Sequence, residues 1–515
     1  MVECPVPSRL GGAARTRRVH TFALSLAVPA AVVLAGACSR TPPASPPERA
    51  RSTEGVAQVP DTGVPPSSVS GGDSGGAAAP TLRNGIAWYE DAADAAFAAA
   101  RSSGRRVVLD LWAPWCHTCL SMQNFVITAE NLPKAADRFI WLAIDTEREQ
   151  NAALLEGLPV SVWPTFYVVD PSVGESPAIR GRWLGAASAQ QFARFLEASD
   201  RSAELARLGP AGDSAEGALA EGDALAARGE LAAAARAYGT ALRRAPAGWP
   251  RRPETLVAQI TALYKAKELG ACLELARAHL SDTGDSASAV DFAAYALECA
   301  GASPPEASAH VAELRRALAA RLEPLCEKGS SELSPDDQAD ACDKLAAVRT
   351  SLGDAAGARR ALLERLAIVE RGAAGKPPEV ALAYDWARTD ALISLGRAEE
   401  ALAIATLREQ QLPSNYNPPH YRAKSLKALG RWQEGLQALE RALSLAYGPR
   451  RIGLLTLKAD LLLLGGRASE AGGVLNEQLA AYRALPPGQR QPAAEARVEQ
   501  RLREVARRPP PGPVH

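Results

Sequence analysis

Glycines recur at matching positions in the C-terminal part of the chain, between stretches rich in alanine and leucine. The five turn glycines are Gly229, Gly353, Gly396, Gly430 and Gly466. The last three are separated by 34 and 36 residues. A period of this length is typical of repeated helix pairs, because each pair can bury its apolar face only against its neighbours. The sequence therefore predicts an all-α solenoid of about six or seven helix pairs.

The unit around Gly229 carries small and aromatic residues at set positions: Gly222, Ala234, Tyr238, Ala241 and Pro246. This pattern resembles the tetratricopeptide repeat. In that family small residues let two helices approach closely, an aromatic residue fills the space between units, and proline ends the second helix. The resemblance implies a solenoid over residues 201–490 that binds a peptide or protein. A capping helix and a Pro-rich tail are predicted over 491–515.

Residues 86–200 follow a different pattern. Apolar runs at 107–112, 139–144 and 166–169 predict buried strands. Helical patterns at 88–101 and 116–129, with a closing helix around 192–196, alternate with those runs. Alternating strands and helices predict an α/β domain, which the solenoid follows in the chain.

A pair of cysteines, Cys116 and Cys119, is predicted to lie at the start of a helix in this domain. At a helix N-terminus, unsatisfied N–H groups and the helix dipole favour the thiolate form of the first cysteine. The thiolate is the attacking species in disulfide exchange. Cys116 is therefore the expected nucleophile, and Cys119 is expected to resolve the mixed disulfide.

The surrounding residues resemble the active site of the thioredoxin superfamily, and in particular the C-terminal domain of bacterial thiol:disulfide interchange proteins. Trp115 matches the family's aromatic flank, and Asp110 lies six residues before Cys116 on the preceding strand. The resemblance implies that Asp110 helps to deprotonate the second cysteine. It also implies a cis peptide bond before Pro164, in a loop that faces the cysteines and can pair with an extended substrate.

Alternatives to redox chemistry remain open for this pair, namely a purely structural bridge or half of a zinc site. Zinc requires about four ligands, and the sequence has no second Cys-x-x-Cys and only six histidines. No metal and no cofactor are therefore predicted. His117, between the cysteines, has two interpretations: a positive charge that shifts the couple toward oxidation, or a solvent-facing cap.

Four more cysteines lie in the helical region: Cys272, Cys299, Cys326 and Cys342. Four cysteines allow three connectivities. Because solenoid repeats contact only their neighbours, the first two and the last two are predicted to pair as structural disulfides. Buried free thiols and a redox relay with Cys116 are the alternatives.

The N-terminus has the pattern of an export signal. Four arginines precede an apolar run from Phe22 to Ala37, which ends at Cys38. This ending resembles the cleavage site of bacterial lipoproteins, which implies a signal peptide over 1–37 and a lipid on Cys38. Ordinary secretion and a retained anchor are the alternatives. Residues 38–85, rich in Pro, Ser and Gly, are predicted to be a disordered tether or cleavable filler.

The balance of charged residues narrows the range of possible partners. The 58 basic and 58 acidic residues balance, which argues against nucleic acid as a partner. We predict a lipid-anchored thiol–disulfide oxidoreductase on the periplasmic side of a bacterial envelope, in either membrane. Its partners would be disulfide or dithiol proteins and a redox partner protein, with the direction of electron flow open. The alternative is a non-catalytic adaptor lipoprotein that uses both domains for protein binding.

Overall fold

The computed structural model describes residues 78–172, 178–208 and 214–507, all within one compact unit of the chain. The predicted signal peptide 1–37, the predicted lipid site Cys38 and most of the predicted tether lie outside the described residues. The predicted Pro-rich tail also lies outside them from residue 508 onward.

A six-stranded sheet with flanking helices forms the first domain. Its strands, in chain order, are β1 Thr81–Arg83, β2 Ile86–Glu90, β3 Val107–Trp112, β4 Ile140–Asp145, β5 Thr165–Asp170 and β6 Ala178–Leu184. Its helices are α1 Ala93–Ser103, α2 His117–Ser121, α3 Ala152–Gly157 and α4 Ala189–Leu208. The strand order is β1-β2-β4-β3-β5-β6. Strand β4 runs parallel to β2 and β3, whereas the other neighbouring pairs are antiparallel.

Each face of the sheet is covered by an apolar layer, and this explains why the central strands are continuous hydrophobic runs. One layer contains Trp88, Trp141 and Phe192, and the other contains Ala96, Leu109 and further small or aliphatic residues. Strand β3 is central and is buried along most of its length. The loop that follows β3 leads to Cys116 and Cys119, so the cysteine pair is anchored next to a buried central strand.

The sequence-based assignments differ from the structure at four places. Trp88 to Glu90 belong to strand β2 and not to the predicted helix, because Trp88 pairs with Trp141 on the adjacent strand β4. Strand β1 lies within the range assigned to the tether, and β6 was not predicted. Helix α2 continues into a π turn over Met122–Val126 and ends before Ala129.

Fifteen helices, α5 to α19, follow in the described part of the chain. They are Ala215–Ala227, Leu231–Arg244, Arg252–Lys265, Leu269–His279, Ala287–Ala302, Ser308–Glu327, Pro335–Ser351, Ala355–Ala373, Pro378–Ser394, Ala398–Gln411, Asn417–Ala428, Trp432–Leu445, Gly448–Leu464, Ala468–Ala484 and Pro492–Ala506. The first fourteen form seven successive pairs. None of the helices described here is long and apolar enough to cross a membrane.

The turns inside the helix pairs explain which repeats the sequence marks with a glycine and which it does not. All five turn glycines have φ between 74° and 79°, a left-handed conformation that favours glycine. In the pair α7–α8 the equivalent position is Lys267, with φ 65°. The repeat boundaries between residues 250 and 340 were therefore hard to place, because this turn lacks the glycine signal.

The helical region is bonded directly to the sheet domain. The backbone N–H of Arg182 on β6 donates to Asp223 of α5 at 3.1 Å, and the N–H of Ala186 donates to Asp291 of α9 at 3.1 Å. Buried Gln191 donates to two serine hydroxyls at the start of α9. These contacts fix the β6 side of the sheet domain against the helical region.

Candidate active site

The cysteine pair lies where strand β3 turns into helix α2. Cys116 is the N-cap residue of α2, and its sulfur accepts a hydrogen bond from the backbone N–H of Cys119 at 3.0 Å. The two sulfurs are joined in a disulfide. Cys116 is 4% exposed and Cys119 is fully buried. This arrangement places the first sulfur at the positive end of a helix, where a thiolate is favoured.

Asp110 is fully buried in strand β3 and has one hydrogen-bond partner among the described residues. Gln123 Nε2 donates to its Oδ2 at 2.7 Å, whereas Oδ1 has no partner there. Burial raises the pKa of Asp110 to about 6, against the opposing effects of Gln123 and the charge of Arg83. A carboxyl group in this range can exchange a proton near neutral pH. Gln123 was missed by the sequence analysis, although it lies two helical turns after Cys116.

The Trp163–Pro164 peptide bond is cis, as the resemblance implied. The Trp163 ring packs against the cysteine cluster, and its centroid is 5.3 Å from that of Trp115. Trp163 Nε1 donates to Thr146 Oγ1 at 2.9 Å. The carbonyl of Pro164 accepts from the N–H of Gly185 at 2.9 Å and so is already used within the sheet domain.

His117 contacts the helical region and not open solvent. Its Nδ1 is 3.1 Å from Asp336 Oδ1, and its Nε2 is 4.0 Å from Asp340 Oδ2, both on α11. The imidazole stacks on Trp386 of α13 with a centroid distance of 5.1 Å and an interplanar angle of 4°. Burial alone lowers the pKa of His117, but the two carboxylates outweigh it and raise the pKa to about 9. The solvent-facing interpretation does not describe this side chain, which is 20% exposed.

Trp115, the residue before Cys116, is held by a buried carboxyl group. Its Nε1 donates to Glu147 Oε1 at 2.8 Å, and the backbone N–H of Arg450 on α17 donates to the other carboxylate oxygen. The Arg450 guanidinium lies 5.5 Å from the Trp115 ring centroid. Burial raises the pKa of Glu147 to about 7. Neither Glu147 nor Arg450 belongs to a sequence motif, so the sequence analysis had no signal for them.

Two more contacts complete the cover over the cysteine loop. Asn417 Nδ2 on α15 donates to the carbonyl oxygen of Pro114 at 2.8 Å. Leu120 packs against a small apolar cluster that includes Leu382 and Tyr421. Four solenoid helices, α11, α13, α15 and α17, therefore touch the loop or the helix that carries Cys116 and Cys119.

A cleft of about 410 Å³ opens beside Trp115. Its walls include Glu147 from the sheet domain and Arg450, Tyr482 and Arg497 from the helical region. This volume is within the range of sites that take small ligands or a few peptide residues. The cleft lies next to the residue that precedes the first cysteine.

The four other cysteines in the described part of the chain are paired within the solenoid. Cys272 is bonded to Cys299, and Cys326 is bonded to Cys342. All four are fully buried. The first bond joins α8 to α9 and the second joins α10 to α11, so each links helices that are consecutive in the chain.

The first domain is similar in sequence to known proteins. Residues 87–171 match the thioredoxin-like family model. The thiol:disulfide interchange protein DsbD of Cronobacter sakazakii is 34% identical over 101 residues, and that of Yersinia enterocolitica is 30% identical over 102 residues. Each alignment covers 19% of this chain and only 17% of the relative.

Solved structures similar to this chain include two helical-repeat proteins. A tetratricopeptide repeat protein from Parabacteroides merdae is 14% identical, with a TM-score of 0.38, over 57% of this chain and all of that one. A tetratricopeptide repeat protein from Thermus thermophilus is 22% identical, with a TM-score of 0.26, over 42% of this chain and 99% of that one. The family match and the sheet topology show that residues 87–171 form a thioredoxin-like domain, which a long run of helices follows.

Proposed function

We propose that this chain is an exported, membrane-tethered thiol–disulfide oxidoreductase whose helical region recruits a protein partner. The observation that carries the proposal is the bonded pair of Cys116 and Cys119 at the start of α2, within a thioredoxin-like domain. The helix N-terminus favours the Cys116 thiolate, which is the form required for attack on a disulfide.

In the reducing direction the reaction has two exchange steps. The Cys116 thiolate attacks one sulfur of a substrate disulfide, which forms a mixed disulfide and releases the other substrate sulfur as a thiolate. Cys119 then loses its proton and attacks the Cys116 sulfur. The substrate leaves as a dithiol, and the enzyme pair is oxidised to the disulfide seen here. Two electrons pass from the enzyme to the substrate.

Asp110 is the proposed acceptor for the Cys119 proton. Its carboxyl group is buried on β3, the strand that leads into the cysteine loop, and its pKa of about 6 leaves it mostly ionised at neutral pH. Gln123 orients the carboxyl group through one oxygen and leaves the other oxygen without a partner among the described residues. General-base assistance of this kind is strongest when the pKa lies close to the working pH.

The substrates are proposed to be proteins that carry a disulfide or a dithiol, and a second redox protein resets the pair. The same two steps run in reverse to donate a disulfide. The direction depends on the reduction potential of the couple relative to that of its partner. The cleft beside Trp115 supports entry of an extended peptide segment toward Cys116.

The test is a disulfide-reduction assay with the full chain and with Cys116→Ser. We expect the substitution to abolish turnover. The double variant Cys272→Ser and Cys299→Ser, which removes a disulfide outside the site, serves as the control and should remain active. Equal activity of Cys116→Ser and the unaltered chain would refute the proposal. A Cys119→Ala variant should trap mixed disulfides for identification by mass spectrometry.

The tether is a separate part of the proposal. The similarity to a thiol:disulfide interchange protein supports a compartment in which disulfides are exchanged, and the sequence before Cys38 supports export and lipidation at that cysteine. Cells that express the chain with a labelled fatty acid should incorporate the label, whereas a Cys38→Ala variant should not. Equal incorporation in both would contradict the assignment of Cys38.

One observation favours the adaptor as a second candidate. Four solenoid helices touch the cysteine loop or α2, and Cys116 is only 4% exposed. Because the helical region already covers this face, an adaptor would need neither access to Cys116 nor exchange chemistry. It predicts that Cys116→Ser leaves partner binding and the cellular phenotype intact, whereas the oxidoreductase requires the sulfur.

A further inference from the structure

The start of helix α11 is built to present a carboxylate. Ser334 is the N-cap residue and accepts a hydrogen bond from the N–H of Asp337 at 3.1 Å, while the Asp337 carboxylate accepts one from the N–H of Ser334 at 3.1 Å. This capping box uses the carboxylate of Asp337. Asp336 lies in the same first turn, where the helix dipole favours a negative charge. It is buried and directed at His117.

Asp340 and Trp386 complete the surroundings of the imidazole. Asp340 is four residues after Asp336, so both carboxylates lie on one face of α11. The Trp386 ring, which stacks on His117, is itself flanked by Arg365 at 5.2 Å and Lys424 at 5.6 Å from its centroid. The imidazole therefore has carboxylates at both ring nitrogens and an aromatic ring against its plane.

The charges around His117 are predominantly negative. The charged groups that interact with it are Asp291 of α9, Asp336, Asp340 and Asp343 of α11, and Arg365 of α12. Arg365 is paired with Asp343 at 3.0 Å and with Asp390 at 2.9 Å, and Asp343 is also paired with Lys344 at 2.8 Å, so the charges of Arg365 and Asp343 are offset by these partners. The two carboxylates nearest the ring, Asp336 and Asp340, therefore favour a cation at His117.

We propose that Asp336, Asp340 and Trp386 are positioning residues that hold His117 as a cation next to Cys116 and thereby set the reduction potential of the pair. This inference rests on the proposed function. A positive charge close to Cys116 stabilises its thiolate, which stabilises the reduced form and makes the couple more oxidising. The raised pKa of His117, about 9, is consistent with this charge state. The helical region would then act on the chemistry through one side chain.

The experiment measures the equilibrium of the full chain with glutathione between pH 6 and pH 10. When Cys116 and Cys119 form their bond, the pair gives up two electrons and two protons, and glutathione disulfide accepts them to become two thiols. The equilibrium constants of the unaltered chain and His117→Gln are compared at each pH. Their ratio cancels the pH dependence that both share.

We expect His117→Gln to be at least tenfold more reducing below pH 8, which corresponds to about 30 mV. The difference should disappear above about pH 9, where His117 loses its proton. When Asp336→Asn is present in both proteins, the difference should disappear at least one pH unit lower. Asp340→Asn should act in the same direction with a smaller shift, since its distance to the ring is longer. The control Asp282→Asn, which removes a carboxylate near α8, should leave the profile unchanged.

The outcomes separate the two proposals. A pair that never equilibrates with glutathione overturns the proposed function, and the inference with it. A pair that equilibrates but is unaffected by His117→Gln overturns the inference alone. If neither Asp336→Asn nor Asp340→Asn lowers the pH at which the effect of His117→Gln disappears, the positioning role of α11 is overturned. Asp340→Asn keeps the test decisive if Asp336→Asn fails to fold.

Discussion

The buried carboxyl group of Asp110 destabilises the folded protein at neutral pH, and Asp110→Asn should reveal by how much. Burial raises the pKa of Asp110 from 3.8 to about 6. Each pH unit is worth about 1.4 kcal/mol, so this rise corresponds to about 3 kcal/mol. Because the folded state binds the proton more tightly, the associated stability is present below pH 3.8 and is lost as the pH rises through 6.

Urea unfolding of the oxidised chain at several pH values is the assay. Of the roughly 3 kcal/mol of stability linked to the Asp110 proton, about 2 kcal/mol is lost between pH 4.5 and 7.5. The free energy of unfolding of Asp110→Asn, relative to the unaltered chain, should therefore rise by about 2 kcal/mol over that interval. The packing of the amide affects both ends equally and cancels. The matched control is Asp94→Asn, which removes an exposed carboxylate on α1.

The result that refutes this reasoning is a pH dependence of stability that is the same, within about 0.5 kcal/mol, for Asp110→Asn and the unaltered chain. A second readout links stability to chemistry. If Asp110 accepts the Cys119 proton, Asp110→Asn should resolve mixed disulfides more slowly at pH 7. The same variant should be relieved of the destabilising buried charge at that pH. A faster or unchanged resolution step would contradict the role of Asp110 as a base.

Three further predictions concern the solenoid and its contact with the active site. Replacing both Cys326 and Cys342 by serine should cost about 3 kcal/mol of stability, measured by thermal unfolding, since the bond spans 16 residues. Gly222→Ala should lower the free energy of unfolding in urea by roughly 1–3 kcal/mol, because its Cβ would lie 2.5 Å from a tyrosine ring, whereas Gly472→Ala meets nothing within 4 Å and should be neutral or stabilising. Asn417→Ala removes a hydrogen bond worth about 1 kcal/mol to the cysteine loop, so alkylation of the reduced pair should become about fivefold faster.

The elements that the sequence predicted correctly are those fixed by local patterns. Strands β3, β4 and β5 are apolar runs bounded by turn residues, and the structure has all three. The last three residues of strand β2, Trp88 to Glu90, are predicted to be helical from the sequence, because Trp88 owes its strand conformation to Trp141, which lies more than 50 residues away in the chain. A local pattern cannot carry that information, since propensity is a weak constraint compared with such a pairing.

The candidate active site shows the same contrast between residues fixed by local patterns and residues placed by distant contacts. Cys116, Cys119 and the cis bond before Pro164 follow from short motifs, and the structure has the bonded pair and the cis bond. The partners of these residues do not follow from motifs. Asp336 is 219 residues from His117, and Asn417 is 303 residues from the loop that it bonds. Their placement depends on how the solenoid packs against the sheet domain.

The two residues between the cysteines therefore cannot by themselves indicate the direction of electron flow. Judged from the dipeptide alone, His117 would be half protonated near its ordinary pKa of 6.5 and would affect Cys116 only in part. In the folded chain, burial lowers its pKa, while carboxylates from a helix begun by the Ser334 capping box raise it to about 9. The net result is a positive charge at neutral pH on the residue that follows Cys116, the proposed attacking cysteine. The chemistry of the pair is thus encoded partly in the thioredoxin-like domain and partly in a helix that the same chain supplies more than 200 residues later.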